Sequence, residues 1–327
     1  MIIPSYIGVI SKNKLFDGGN GSIENPYRIV KSYHFDNMRK HPSAHYQLEN
    51  DIIFTDEFEE DGEYYNDGKC WIPITTFTGS IDGQNYKIEN AKVRPEFHTS
   101  GVLARTATGI IKNIYFKNVD VENTTRSFLG GVAGQHSSTS RIQNVFIDGR
   151  VVGRTFCGGI LGRSSNGFVE RCGVDMFVGN GHNNGGIIAG SSSNCNIYDC
   201  YTRGINQSYY HRGGIAGSTF GMRVYRSYSA MAMTGGHSWL RRGLISSYDG
   251  YNAYQEESYW DRQVTTTSSS FAGGTPMFTV EAKYPYQEIA GHGMPYQNWD
   301  FDNVWAHDVD GTINDGYPYL RNVTPIN

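Results

Sequence analysis

The chain has 327 residues, 40 of them glycine, and a formal net charge of -4 from 28 Lys plus Arg against 32 Asp plus Glu. So few cations, with no basic run interleaved with aromatics, exclude a nucleic-acid footprint. No stretch approaches the ~18 apolar residues of a membrane span, and residues 1–14 lack the basic start, apolar core and cleavage site of a secretory leader.

Residues 15–95 read as the entry to a larger β body. Phe16 to Ser22 is a turn cluster, and Pro26-Tyr27-Arg28-Ile29-Val30 is a first strand. Ser32 is placed to N-cap a short helix running through Lys40, with Phe35 and Met38 three apart on one face. Such a helix closes the open end of a core that unpaired strands would otherwise expose. Strands follow at Tyr46-Gln47-Leu48 and Asp51-Ile52-Ile53-Phe54. The acidic run Asp56 to Glu63 reads as a solvated loop, with a cation site as the alternative.

From Ser100 to about Arg262 one pattern returns six times. Its first signature is Gly101-Val102-Leu103, Gly131-Val132-Ala133, Gly159-Ile160-Leu161, Gly186-Ile187-Ile188, Gly214-Ile215-Ala216 and Gly243-Leu244-Ile245, at intervals of 30, 28, 27, 28 and 29 residues. A second signature follows in step: Asn113-Ile114-Tyr115, Asn144-Val145-Phe146, Arg171-Cys172-Gly173, Asp199-Cys200-Tyr201, Arg226-Ser227-Tyr228 and Glu257-Ser258-Tyr259. Two signatures at one period mean one supersecondary unit, stacked. No copy keeps a helical apolar period, and β-branched and aromatic residues between glycines favour strands. The fold expected is an all-β, right-handed parallel β-helix with coils of about 28 residues, a short N-terminal capping helix and an irregular C-terminal cap. The marked glycines suit corners that need a positive φ or a close backbone approach. The corresponding division is 1–95 for the N-terminal cap and first coils, 96–263 for the repeats and 264–327 for a C-terminal cap or attachment region. That last region either folds back on the last coil or meets a partner subunit.

The chain resembles the GLUG-motif repeat proteins. The resemblance rests on Gly18-Gly19 with Pro26-Tyr27, Trp71 with Pro73-Ile74, Phe77-Thr78-Gly79 with Asp82-Gly83, the Gly-Gly-Ile-x-Gly copies, Tyr259-Trp260-Asp261, Trp299-Asp300-Phe301 and Gly316-Tyr317-Pro318. It covers about residues 15–320, and the first and sixth copies depart from it in having a single glycine at the mark. What it implies is a β-helix in a surface adhesin, a secreted repeat protein or a phage tail or fibre. It implies no catalytic residues.

Three constellations are candidates for function. If the residue before each inward position sits at a coil corner, Tyr115, Phe146, Tyr201, Tyr228 and Tyr259 form an outward aromatic ladder broken by Gly173. Such a ladder stacks on sugar rings or docks a partner; the competing readings are mutual stacking for stability, or burial in the core. Asp148 and Asp175 are neighbours on adjacent coils, at a separation that suits the roughly 5–5.5 Å of a retaining glycosidase. Arg203 stands next on the ladder and makes a surface ion cluster the preferred reading of the pair. Asp308-Val309-Asp310-Gly311 with Asn314-Asp315 has oxygen-ligand density but lacks the final glutamate of a calcium loop, so it reads as a turn. His182, His211 and His237 read as loop residues. The five cysteines, odd in number and without CxxC spacing, read as small buried core residues in a reducing compartment, where the sequons at Asn123, Asn206 and Asn322 carry nothing.

No metal and no cofactor is expected. The reading is a structural and binding protein of a virion, a tail, fibre or receptor-binding component, made in the host cytoplasm. Its expected partners are other virion proteins, further copies of itself and host surface carbohydrate, with no nucleic acid and no membrane span. An exported adhesin at the cell surface and a polysaccharide depolymerase are the alternatives.

Overall fold

A computed structural model of the protein describes residues 14–325 apart from 95–97, 107, 124–127, 138, 180–181, 189–191, 194, 219–220 and 247–252. Three parallel sheets form the walls of a β-solenoid. One coil consists of Phe128–Gly130, Ala133–Ser137 and Arg141–Gly153, and the next of Phe156–Gly158, Leu161–Ser165 and Phe168–Gly179. Their residues pair in register, Leu129 with Cys157, Ala133 with Leu161 and Val145 with Cys172. The sequence period is therefore the coil. Stacking puts equivalent apolar residues on one another, and a single buried core runs from Phe16 to Trp260.

The inward column Ile114, Val145, Cys172, Cys200, Ser227 and Ser258 is buried at every rung. The Cys172 amide lies 3.4 Å from Cys200 Sγ, and all five cysteines are buried and free. Toward the C-terminal end the column turns polar, where hydroxyls replace methyl groups.

The two sequence signatures have different physical causes. The residues before the inward column, Asn113, Asn144, Arg171, Asp199, Arg226 and Glu257, all hold φ between 41° and 56°. They form the left-handed corner that bends each long strand, and asparagine tolerates it best. Asn144 Nδ2 bonds Asn113 Oδ1 at 2.9 Å, and Asn113 Nδ2 bonds Asp82 Oδ1 at 2.9 Å, so the corner is a side-chain ladder as well. The marked glycines, by contrast, do not have positive φ. A Cβ on Gly159 would lie 2.2 Å from the Gly186 carbonyl oxygen, and one on Gly186 would lie 2.0 Å from that of Gly214. Close approach of the next backbone explains them, except at Gly243, where a Cβ would lie 2.2 Å from the Trp260 ring.

At the N-terminal end a helix spans Ser32–Asn37 and continues as a 3-10 turn over Met38–Lys40. Lys31, not Ser32, is its N-cap; the Ser32 hydroxyl instead reaches Glu57 Oε1 at 3.5 Å. Phe35 and Met38 are buried as the spacing requires, and Phe35 stacks on Trp71 at 5.3 Å.

After Arg262 the chain does two things. Gly273–Met277 adds a further parallel rung to Tyr254–Asp261, while Ser269 and Ser270 accept the amides of Gly243, Leu244 and Ile245 and close the end of the glycine wall. The remainder, through Trp299, Trp305, Tyr317 and Leu320, turns back along the flank and forms a second hydrophobic cluster against the outer face of the long sheet. The segment caps the end and straps the side.

Candidate functional site

The strap lies on the aromatic ladder. Tyr115, Phe146, Gly173, Tyr201, Tyr228 and Tyr259 are register partners on successive rungs, as the period requires, and they point away from the solenoid interior. They are not an open platform. Phe146, Tyr201 and Tyr228 are 7%, 1% and 1% exposed, and Tyr115 and Tyr259 are half-buried at the ladder's two ends. Tyr228 stacks on Tyr317 at 5.7 Å and on Trp299 at 6.3 Å. Its hydroxyl donates to the Pro318 carbonyl at 2.9 Å, and the Tyr201 and Thr324 hydroxyls lie 2.9 Å apart. The ladder's occupant is this chain's own C-terminal segment. The physical reason is plain: several contiguous rings would be too large an apolar patch to leave in water.

Among the described residues, open tyrosines stand on the other side of the corner. Tyr198 and Tyr225 stack at 5.0 Å with planes 6° apart, and Tyr254 follows at 5.8 Å. The same register that gave the buried ladder could have found Tyr198 and Tyr225, each three residues before its ladder tyrosine; Tyr254 pairs with Arg223 and falls outside that column.

Where the strap leaves the ladder uncovered, over the break at Gly173, a polar pocket of about 230 Å³ remains. A Cβ on Gly173 would lie 2.8 Å from both the Phe146 and Tyr201 rings, so the glycine lets these two rings close over the missing rung. Asp148, Asp175 and Arg203 stand side by side on three successive rungs at the pocket wall. Asn314 and Thr324 enter from the strap.

The two carboxylates differ. Asp148 sits at a register irregularity between Ile147 and Gly149. Its Oδ2 accepts the Tyr115 hydroxyl and its Oδ1 accepts the Asn118 amide, so it fills the hydrogen-bonding gap the bulge creates. Loss of hydration, and then the bond to Asp148, raises the Tyr115 phenol above its ordinary range. Asp175 is open to solvent at the lip, while the protein around its carboxyl removes hydration; the Arg203 guanidinium counters that, the Asp148 charge adds to it, and its pKa is raised. Arg203 Nη1 donates to Asn314 Oδ1 at 3.0 Å, and its guanidinium lies 6.0 Å from the Tyr317 ring. A carboxylate whose two oxygens are already bonded is a poor nucleophile, so the arrangement recognises polar groups more readily than it cleaves a bond.

The remaining candidates resolve simply. Asp308 accepts the amides of Ile313, Asn314 and Gly316 at 3.2, 2.7 and 2.8 Å, and this holds the strap turn. His211 opens the strand His211–Gly213 instead of lying in a loop, and His182 and His237 are exposed. Among the described residues no group of three or more His, Cys, Asp or Glu side chains is placed to hold a metal ion. No helix among them is long and apolar enough to cross a membrane.

No family model matches the chain. It is similar to Halomucin of Haloquadratum walsbyi, 32% identical over 156 residues that make up 44% of this chain and 2% of that protein. It is also similar to the immunoglobulin A1 protease of Streptococcus sanguinis, 32% identical over 88 residues, 27% of this chain and 4% of that protein. The chain thus matches only a small part of the length of these relatives. A crystal structure from Bacteroides ovatus, of a protein named for immunoglobulin A1 protease, superposes with a TM-score of 0.68 over 94% of this chain and 96% of that one, at 19% identity. That likeness is one of fold.

Proposed function

We propose that this chain is a non-catalytic structural and binding module displayed on a cell or virion surface, and that its lateral pocket takes one unit of a surface carbohydrate. The observation that carries the reading is the presence, in the lining of one polar pocket, of the Asp175 carboxylate and the Arg203 guanidinium together with Tyr115 and Phe146. Sugar hydroxyls both donate and accept; a carboxylate supplies acceptors, a guanidinium supplies donors, and aromatic rings pack against the C–H face of a sugar. The volume of about 230 Å³ falls below the roughly 300–1,000 Å³ of drug-sized sites, which favours a single ring over a long chain.

The setting is supported by the relatives, whose long chains contain such a segment as a small part, and by a name that refers to an antibody as substrate. On a phage tail or fibre the partners would be other virion proteins and further copies of the chain. Cleavage is disfavoured because Asp148 is committed to Tyr115 and Asn118.

Glycan-array screening followed by calorimetric titration tests the reading. A binder is expected whose affinity falls roughly tenfold or more in Asp175→Ala and in Arg203→Ala, as for loss of a charged hydrogen bond, with no reducing ends released. An array without a binder overturns it. Reducing ends that disappear in Asp148→Asn would make the chain a depolymerase instead.

A further inference from the structure

Among the described residues, the interior of the last coils contains charge without a counter-charge. Asn184, Arg212 and Arg241 are successive members of one column on the glycine wall, paired in register. Arg212 has no exposed surface and Asn184 none. A guanidinium in such a place ordinarily faces a carboxylate, because an uncompensated buried charge is among the costliest features a fold can hold. Here no ion pair to either Arg212 or Arg241 occurs among the described residues, and the Arg212 contacts are neutral. Its Nη1 donates to the Thr234 carbonyl at 2.7 Å and to the Gly235 carbonyl, and its Nη2 donates to the His237 carbonyl. Arg241 converges on the same place: its Nη2 donates to the Gly235 carbonyl at 3.5 Å and its Nη1 to Thr266 Oγ1 at 2.8 Å.

Two guanidiniums therefore share one carbonyl oxygen. Carbonyls satisfy hydrogen bonds but do not neutralise charge. Loss of hydration, with the neighbouring Arg241 charge adding to it, pushes the Arg212 guanidinium down to about 10. The decisive feature is what remains unpaired. The Nε–H of Arg212, the Nε–H of Arg241 and the Nδ2 of Asn184 are all buried without a partner. Three successive rungs each leave a donor over, next to two positive charges.

We infer that the C-terminal end of the solenoid binds a small inorganic anion, a halide, between Arg212, Arg241 and Asn184. The Asn184 and Asn206 Oδ1 atoms, also buried without partners, accept from water that accompanies the ion. The anion completes a charge balance that the fold leaves open, and it fixes the turn at 234–237 to the mouth of the solenoid. It is distinct from the lateral pocket and does not depend on what that pocket binds.

The test uses the full chain with bromide as probe. Crystals grown or soaked in sodium bromide are expected to show an anomalous peak within hydrogen-bond distance of both Nε atoms. Thermal unfolding in sodium bromide or chloride is expected to shift upward, saturably, relative to sodium gluconate at equal ionic strength. Arg241→Met, at the half-buried outer rung, should weaken the halide dependence roughly tenfold or more. No peak, together with equal melting in halide and gluconate, overturns the proposal and leaves water as the occupant. A halide effect that survives unchanged in Arg241→Met also overturns it, since the ion would then lie elsewhere; if that variant does not fold, the wild-type bromide peak decides alone.

Discussion

Asp175 and Asp120 show how one residue type serves opposite ends on the same wall. Burial works to raise the Asp120 carboxyl, but hydrogen bonds from Arg94 and Arg150 outweigh it and hold Asp120 below the usual carboxylate range. Asp175 has an exposed lip position, and there the loss of hydration outweighs the neighbouring Arg203 charge, so its pKa is raised. A carboxyl with a folded value above its unfolded value binds more protons in the folded state between the two, so folding is penalised above the raised value and the penalty is relieved as pH falls through it. Asp175→Asn should therefore be more stable than wild type at about pH 7.5 and indistinguishable from it at about pH 4, near the ordinary carboxylate value. Urea denaturation of both proteins at the two pH values measures this. Equal stability at the higher pH would mean the Asp175 charge is not penalised at all.

At the scale of the element, the strap is held by aromatic burial more than by its hydrogen bonds. Trp305 has no exposed surface and packs on Trp299 at 4.4 Å, with Tyr228 at 6.1 Å and Tyr201 at 6.3 Å. Its indole N–H lies 3.4 Å from Asp199 Oδ1, a carboxylate already paired with Arg226 at 2.8 and 2.9 Å. Trp305→Ala is expected to cost about 3–5 kcal/mol, the range for truncating a buried Trp, and to open residues 280–325 to limited proteolysis while the coils stay protected. A variant with wild-type stability and an uncut strap would show that the second cluster contributes little. The strap also builds the pocket, since Asn314 and Thr324 belong to it, so the same variant should weaken ligand binding without touching Asp175 or Arg203.

For the whole molecule, coupling decides how it unfolds. A bare solenoid contacts only its neighbours and can lose coils one at a time from an end. Here the strap reaches Phe146, Tyr201, Tyr228 and Tyr259 on separate rungs, and Tyr317 donates to Asp261 at 2.7 Å on the last long strand. These long-range ties should make thermal unfolding a single calorimetric transition with matching calorimetric and van 't Hoff enthalpies. Two resolved transitions would show that the strap does not couple the coils.

What the sequence determined by itself was the coil. The six returns of Asn-Ile-Tyr-like and Gly-Ile-x-Gly signatures set the register, and register alone placed Cys172 on Cys200, Phe146 on Tyr115 and Asp148 beside Asp175, because neighbours along a solenoid axis are one period apart in the chain. The period does not say what covers a wall. Asn314 meets Arg203 across 111 residues and Thr324 meets Tyr201 across 123, contacts outside any repeat, so only the tertiary structure decided that the aromatic ladder is an inner surface and that a pocket survives at its break. The unpaired arginines are of the same kind. Arg212 and Arg241 follow from the period, but that no carboxylate among the described residues pairs with them is a property of what packs around them.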